Sequence, residues 1–224
     1  MTTAIYRTAD AINSAMLRVY NHMALAIATS GIVSLAVSSS PELMKFLFTG
    51  VTQWIVVFAP LAFVILLGFK MRSMSPSTAR IMLYAFAAVM GLSFSTIFIV
   101  YNLGSIVSAF MGAAVLFATM SGYGYFTKRS LESVGQFMFI GLIAIVIASI
   151  INIFVGSSVA TMVISALAII IFSGLTAHDT QQIRQMVSVE EPGNNVELMG
   201  ALTLYMDFIN LFLNLLQLFG VKKD

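Results

Sequence analysis

Of 224 residues, 59% are hydrophobic and only 9% charged, and the mean hydropathy is +0.98, whereas soluble domains carry about 25% charged residues. The formal charge of +2 rests on scattered Lys and Arg, which argues against nucleic acid as a partner, and the lack of cysteine excludes disulfide and thiolate chemistry. What remains is an all-α integral membrane protein whose constant partners are membrane lipids.

In chain order, the first pattern is Ile12, Met16, Val19, Tyr20 and Met23 at helical spacing, with Arg7, Asp10, Arg18 and Asn21 on the other faces. It reads as a short interfacial helix over residues 1–20 or, equally, as an extension of the span that follows. No cleavage site follows the first apolar stretch, so no removable signal peptide is expected. Seven stretches then reach the roughly 20 apolar residues that a spanning helix needs: about 21–39, 46–69, 80–101, 104–126, 134–155, 158–181 and 196–219. Pro41, Pro76 and Pro192 fall in the links, while Pro60 lies inside the second span and is expected to kink it. Links this short leave room for a single transmembrane domain, 1–224, and no soluble one.

Orientation follows from the cations. Arg7, Arg18, Lys70, Arg72, Arg80, Lys128, Arg129 and Arg184 fall on one side and Lys45, Lys222 and Lys223 on the other, which puts the N-terminus in the cytoplasm and the C-terminus outside. The segments "TMSGYGYFTKR" (119–129) and "IFSGLTAHDTQQ" (171–182) follow similar hairpins offset by 52 residues, a faint repeat that suits transporter-like construction and equally suits chance.

The seventh stretch, "LTLYMDFINLFLNLLQLFG", carries Asp207 among its apolar residues. A carboxylate at the bilayer centre costs about 2.5 to 3.5 kcal/mol on insertion scales, so a compensating partner is expected. Asp179, at the end of the sixth stretch in "FSGLTAHDTQQIRQM", is the candidate, provided that helix continues far enough to bring it below the surface. Asn210, Asn214 and Gln217 follow Asp207 on one helix face, a polar stripe that either lines a water-filled path or bonds neighbouring helices together.

"HDTQQI" followed by "LTLYMDFINLFLNLLQLFG" strongly resembles the Bax inhibitor 1 (transmembrane Bax inhibitor motif) family in its bacterial form. The resemblance extends over the chain as a seven-span pattern and is specific in these two segments. It implies six helices around a central seventh, residence in the bacterial inner membrane, and a pH-sensitive calcium leak. In that family the acids of the "DTQQI" and "DFINLF" segments form a hydrogen-bonded sensor pair, here Asp179 and Asp207, onto which an arginine at the end of the second span latches. "GFKMRS" makes Arg72 the matching arginine, with Lys70 and Arg80 as weaker candidates. Some members carry an acid upstream of that arginine; "FAPLAFVIL" has none here. His178 stands where the family often has tyrosine and adds a group that titrates near neutrality, although a solvated histidine at a helix end is the commoner arrangement.

The chemistry suits a sensor. Two carboxylates within hydrogen-bond reach cannot easily both be ionised, so their titration belongs to the pair. Holding one proton, the pair clips two helices together; holding none, it repels unless Arg72 or a cation intervenes. This reading assigns no catalytic residue, no metal ligands and no cofactor, and makes calcium the transported ion. Two other classes compete with it. An intramembrane aspartyl protease also places acids on two spans, but here "LYMD" lacks the Gly-x-Gly expected before the second acid. A non-conducting regulator bound to a membrane AAA protease would use the same bundle.

Overall fold

The computed structural model describes residues 7–189 and 195–223, so residues 1–6 of the N-terminal segment, the link containing Pro192 and the last residue lie outside it. Among the described residues there is no strand, and the α-helices are α1 (Ala9–Ser38), α2 (Pro41–Leu47), α3 (Thr52–Lys70), α4 (Pro76–Phe94), α5 (Ile97–Val100), α6 (Leu103–Phe126), α7 (Glu132–Val155), α8 (Ser158–Val189) and α9 (Val196–Phe219). Among the described residues, seven helical segments are long and apolar enough to cross a membrane. Local chemistry starts and stops them. Ser40 and Ser75 cap α2 and α4 just ahead of a proline in the first turn, and Asn102 Oδ1 accepts from Ser105 N–H at the start of α6. Gly156, in the left-handed region at φ 69°, ends α7.

The segment preceding the first expected span is not a separate helix but the beginning of α1. Its apolar face, Met16, Val19 and Met23, is buried against protein, which is why the chain extends the span instead of lying along a surface. The second span begins at Thr52, later than the sequence suggests, because Ser40 and Pro41 start the short helix α2 in the link. The third breaks at Ser95 and Thr96, whose hydroxyls bond back to Leu92 O (2.6 Å) and Ser93 O (3.2 Å) and compete with the helical ladder. At Pro60 α3 is uninterrupted. Proline has no N–H to offer the carbonyl four residues earlier, Val56 O, and Ser93 Oγ of α4 donates to that carbonyl at 2.7 Å instead.

The chain forms two compact units. One comprises α1 to α5, the end of α8 from Gln185, and α9 through Tyr205. At its centre Tyr205 Oη lies 2.7 Å from Ser30 Oγ, which is also 2.7 Å from Ala87 O, and the Tyr205 ring meets Phe86 edge-on at 5.8 Å. Arg18 grips the Glu197 carboxylate with two bonds of 2.7 Å, tying α1 to the start of α9. The other unit comprises α6, α7, α8 through Arg184, and α9 from Met206. Phe208 packs edge-on against Phe110 and Phe117 of α6.

Burial and hydropathy run in opposite senses along these spans. The fifth, α7, has the highest mean hydropathy, 2.8, and its most apolar stretch is 6% buried; the seventh, α9, has 1.4 and is 67% buried. A helix facing lipid must be apolar all round, whereas one enclosed by protein can carry polar groups. Asp207 therefore sits on the most enclosed span of the seven.

Candidate functional site: an acid pair and a histidine between helices

Asp179 lies ten residues before the end of α8 and Asp207 eleven residues after the start of α9, so each is about 15 Å along its helix from that end at 1.5 Å per residue. The continuation of α8 to Val189 resolves the mismatch in depth that a sixth span ending at 181 would create. Both acids belong to the second unit, and Asp207 lies within the electrostatic influence of Asp179.

The hydrogen bonding differs from the expected acid-to-acid contact. Asp179 Oδ1 is 2.7 Å from His178 Nδ1, and the two side chains are 17% and 20% exposed. Asp207 is 4% exposed, and its Oδ2 is buried without a hydrogen-bond partner. Burying a lone carboxylate in its charged form costs several kcal/mol even after relaxation, and no side chain hydrogen-bonds this oxygen of Asp207 among the described residues. His178 is thus not a solvated histidine at a helix end. Its ring packs on Gly135 of α7, where the space of a Cβ is already taken by the imidazole, and this fixes it beside Asp179.

The neighbouring residues of "HDTQQIR" hold α8 in place. Gly124 of α6 abuts the Ala177 carbonyl oxygen so closely that no side chain fits between them. One turn of α6 earlier, Ser121 Oγ meets Thr180 Oγ1 at 2.9 Å. Gln181 reaches the link between α6 and α7, accepting from Leu131 N–H (2.8 Å) and donating to Arg129 O (2.9 Å). Arg184 donates to Tyr125 O at 3.1 Å and its guanidinium lies 4.8 Å from the centre of the Tyr125 ring. Thr180, Gln181 and Arg184 are clamps that the sequence alone did not single out. Only the density of polar residues after Asp179 signalled them.

The polar stripe of α9 divides. Asn210 Nδ2 donates to Met206 O and Asn214 Nδ2 to Asn210 O, both at 2.8 Å, so these donors serve their own helix and not a neighbour. Gln217 is exposed. Arg72 lies in the first unit, exposed, on a 3₁₀ turn (Met71–Ser73) after α3. That turn is anchored by Asn195 Nδ2, which donates to Met71 O (2.9 Å) and Met74 O (2.7 Å) from just before α9. Lys70 and Arg80 are exposed as well. Among the described residues, no three His, Asp or Glu side chains converge as a metal-ligand set.

Seven membrane-length helices with an acid pair and a histidine held inside one unit define a multi-span helical membrane protein with internal ionisable groups. Residues 12–224 match the family model described as "Inhibitor of apoptosis-promoting Bax1", and the chain belongs to that family. It is 37% identical to the inner membrane protein YbhL of Escherichia coli K12, over 93% of this chain and 92% of YbhL. It is also 37% identical to the protein RP147 of Rickettsia prowazekii, over 100% of this chain and 96% of that protein. A protein of Deinococcus radiodurans is 33% identical over 97% of this chain and 94% of its own length.

Proposed function

We propose that the chain is a cation leak of the bacterial inner membrane, with calcium as its principal ion, gated by the aspartate pair Asp179 and Asp207, with His178 as a modulator beside Asp179. The observation that carries this reading is the buried, unpartnered Oδ2 of Asp207 within reach of the Asp179 charge. A group so placed changes its interactions with every proton or cation that arrives. His178, whose Nδ1 lies 2.7 Å from Asp179 Oδ1, ties the pair to α7 through its packing on Gly135. Residence in the inner membrane is supported by the location in YbhL's name.

Arg72 is proposed as the latch on the acid pair. Arg72→Ala is expected to change the pH dependence of calcium flux in proteoliposomes, whereas Arg80→Ala leaves it as it is. Equal effects from both would reduce Arg72 to a determinant of orientation.

The cation count, eight against three, gives a cytoplasmic N-terminus and an outer C-terminus. Reporter domains fused to Met1 and Asp224 should fall on opposite sides of the membrane. Two cytoplasmic reporters would mean that α9 enters and leaves by the same face.

A further inference from the structure

Apart from the acid pair, the first unit carries a cluster of polar side chains of its own: Arg18 and His22 of α1, Arg80 and Tyr84 of α4, and Glu197 at the start of α9. We infer that Arg80, with His22 and Tyr84 beside it, holds the phosphate of an anionic phospholipid of the cytoplasmic leaflet.

The same pattern occurs on two neighbouring helices. Arg18 and His22 stand four residues apart on α1, as do Arg80 and Tyr84 on α4, so each helix presents a guanidinium and, one turn deeper, a ring. The two rings meet, with His22 Nδ1 2.8 Å from Tyr84 Oη. Arg80 acts electrostatically on both rings, and Arg18 and Glu197 act on His22. These charges do not cancel. Glu197 gives both carboxylate oxygens to Arg18 at 2.7 Å, whereas Arg80 is exposed and makes no hydrogen bond or ion pair among the described residues. Two guanidinium groups against one carboxylate leave a positive charge, and it resides on Arg80. The ring pair supplies a further donor in either tautomer. If Tyr84 O–H donates to Nδ1, His22 keeps an N–H at Nε2; if Nδ1–H donates to Tyr84 Oη, the phenol hydrogen is left over. Arginine binds phosphate through two parallel N–H bonds, and basic sites between helices on the cytoplasmic side suit anionic headgroups.

Depth selects a lipid over a soluble anion. The first span ends at Ser38 and the third at Val100. About 20 residues cross the hydrocarbon core, so counting back from those ends the core begins near Val19 and Ile81, and Arg18 and Arg80 each stand just outside it. This is the end that the cation count puts in the cytoplasm. Farther in, on the α1 face that carries Arg18 and His22, Leu25 and Ile32 are exposed, and so is Ile81 next to Arg80. A phospholipid meets cations at its phosphate and apolar side chains along its acyl chains; a free phosphate uses only the first. The inference is independent of conduction.

The test is native mass spectrometry of the purified protein titrated with phosphatidylglycerol or, separately, with phosphatidylcholine of the same acyl chains. One phosphatidylglycerol should be retained at lipid concentrations about tenfold below those needed for phosphatidylcholine, a difference of about 1.4 kcal/mol. Arg80→Gln should melt with the wild type and abolish that preference, and Arg80→Lys should keep part of it. Lys128→Gln, which removes an equal charge from an exposed position in the other unit, should leave it unchanged. A large excess of inorganic phosphate should fail to displace the bound lipid. Equal retention of the two lipids, or equal loss of preference in Arg80→Gln and Lys128→Gln, would overturn the site by reducing it to general attraction between charges. Ready displacement by inorganic phosphate would overturn the lipid as its occupant.

Discussion

Replacing Asp207 with Asn removes most of the pH dependence of calcium flux and leaves the protein folded. The amide has nearly the same size and keeps a hydrogen-bonding group, and it is cheaper to bury than a carboxylate, so thermal stability in detergent should stay level or rise. What disappears is the ionisation. A switch that takes up one proton changes its equilibrium by at most about tenfold per pH unit. Across pH 5 to 8 the wild-type profile should be steep and that of Asp207→Asn should vary by less than about twofold. Asp179→Asn has a related effect but also frees His178, whose Nδ1 lies 2.7 Å from Asp179 Oδ1, so its profile should shift as well as flatten. The double variant should be little worse than Asp207→Asn alone, because groups in one cluster do not contribute additively. Additive losses would place the two acids in separate sites.

The second large effect separates two glycines that face the same stretch of α8. A Cβ at Gly124 would fall on the Ala177 carbonyl oxygen, and a Cβ at Gly135 on the His178 ring. Backbone cannot turn away, whereas an imidazole can. Gly124→Val must push α6 and α8 apart, at a cost near the top of the ~1–3 kcal/mol range for overpacking. It should also break the Ser121–Thr180 contact one turn away, and melting in detergent should show a clear loss of stability together with lost flux. Gly135→Ala should melt close to wild type, because the expelled ring is offset by alanine's helix preference of about 0.8–1.0 kcal/mol over glycine. Its signature is instead an altered pH profile, since the ring can no longer remain against Asp179. Equal loss of stability in both variants would show that His178 is as rigidly held as backbone.

These contrasts mark where sequence reasoning reaches and where it stops. The spans were legible because lipid imposes a length and a composition on each of them. Asp207 was legible as a residue in need of compensation for the same reason. Features that depend on which helices are neighbours were not. Ser93 carries no sign that it will serve the carbonyl stranded by Pro60, and Gln181 no sign that it will grip the α6–α7 link. For His178 the sequence leaves both a solvated helix end and a modulator open, because its environment is set by Gly135, 43 residues away in the chain, and a glycine announces room for something without saying what. The polar stripe after Asp207 was visible as a stripe, but not that Asn210 and Asn214 would each turn an amide N–H back to their own helix, to Met206 O and Asn210 O.

The role proposed for the acid pair turns on whether the protein conducts. Purified protein in liposomes loaded with a calcium indicator, with an external calcium step applied across a series from pH 5 to 8, measures this directly. Influx well above that of protein-free liposomes, varying steeply with pH in the wild type and nearly flat in Asp207→Asn, is the predicted result. Influx equal to that of protein-free liposomes at every pH, from protein shown to be folded and inserted, would contradict the leak and leave a membrane regulator in its place.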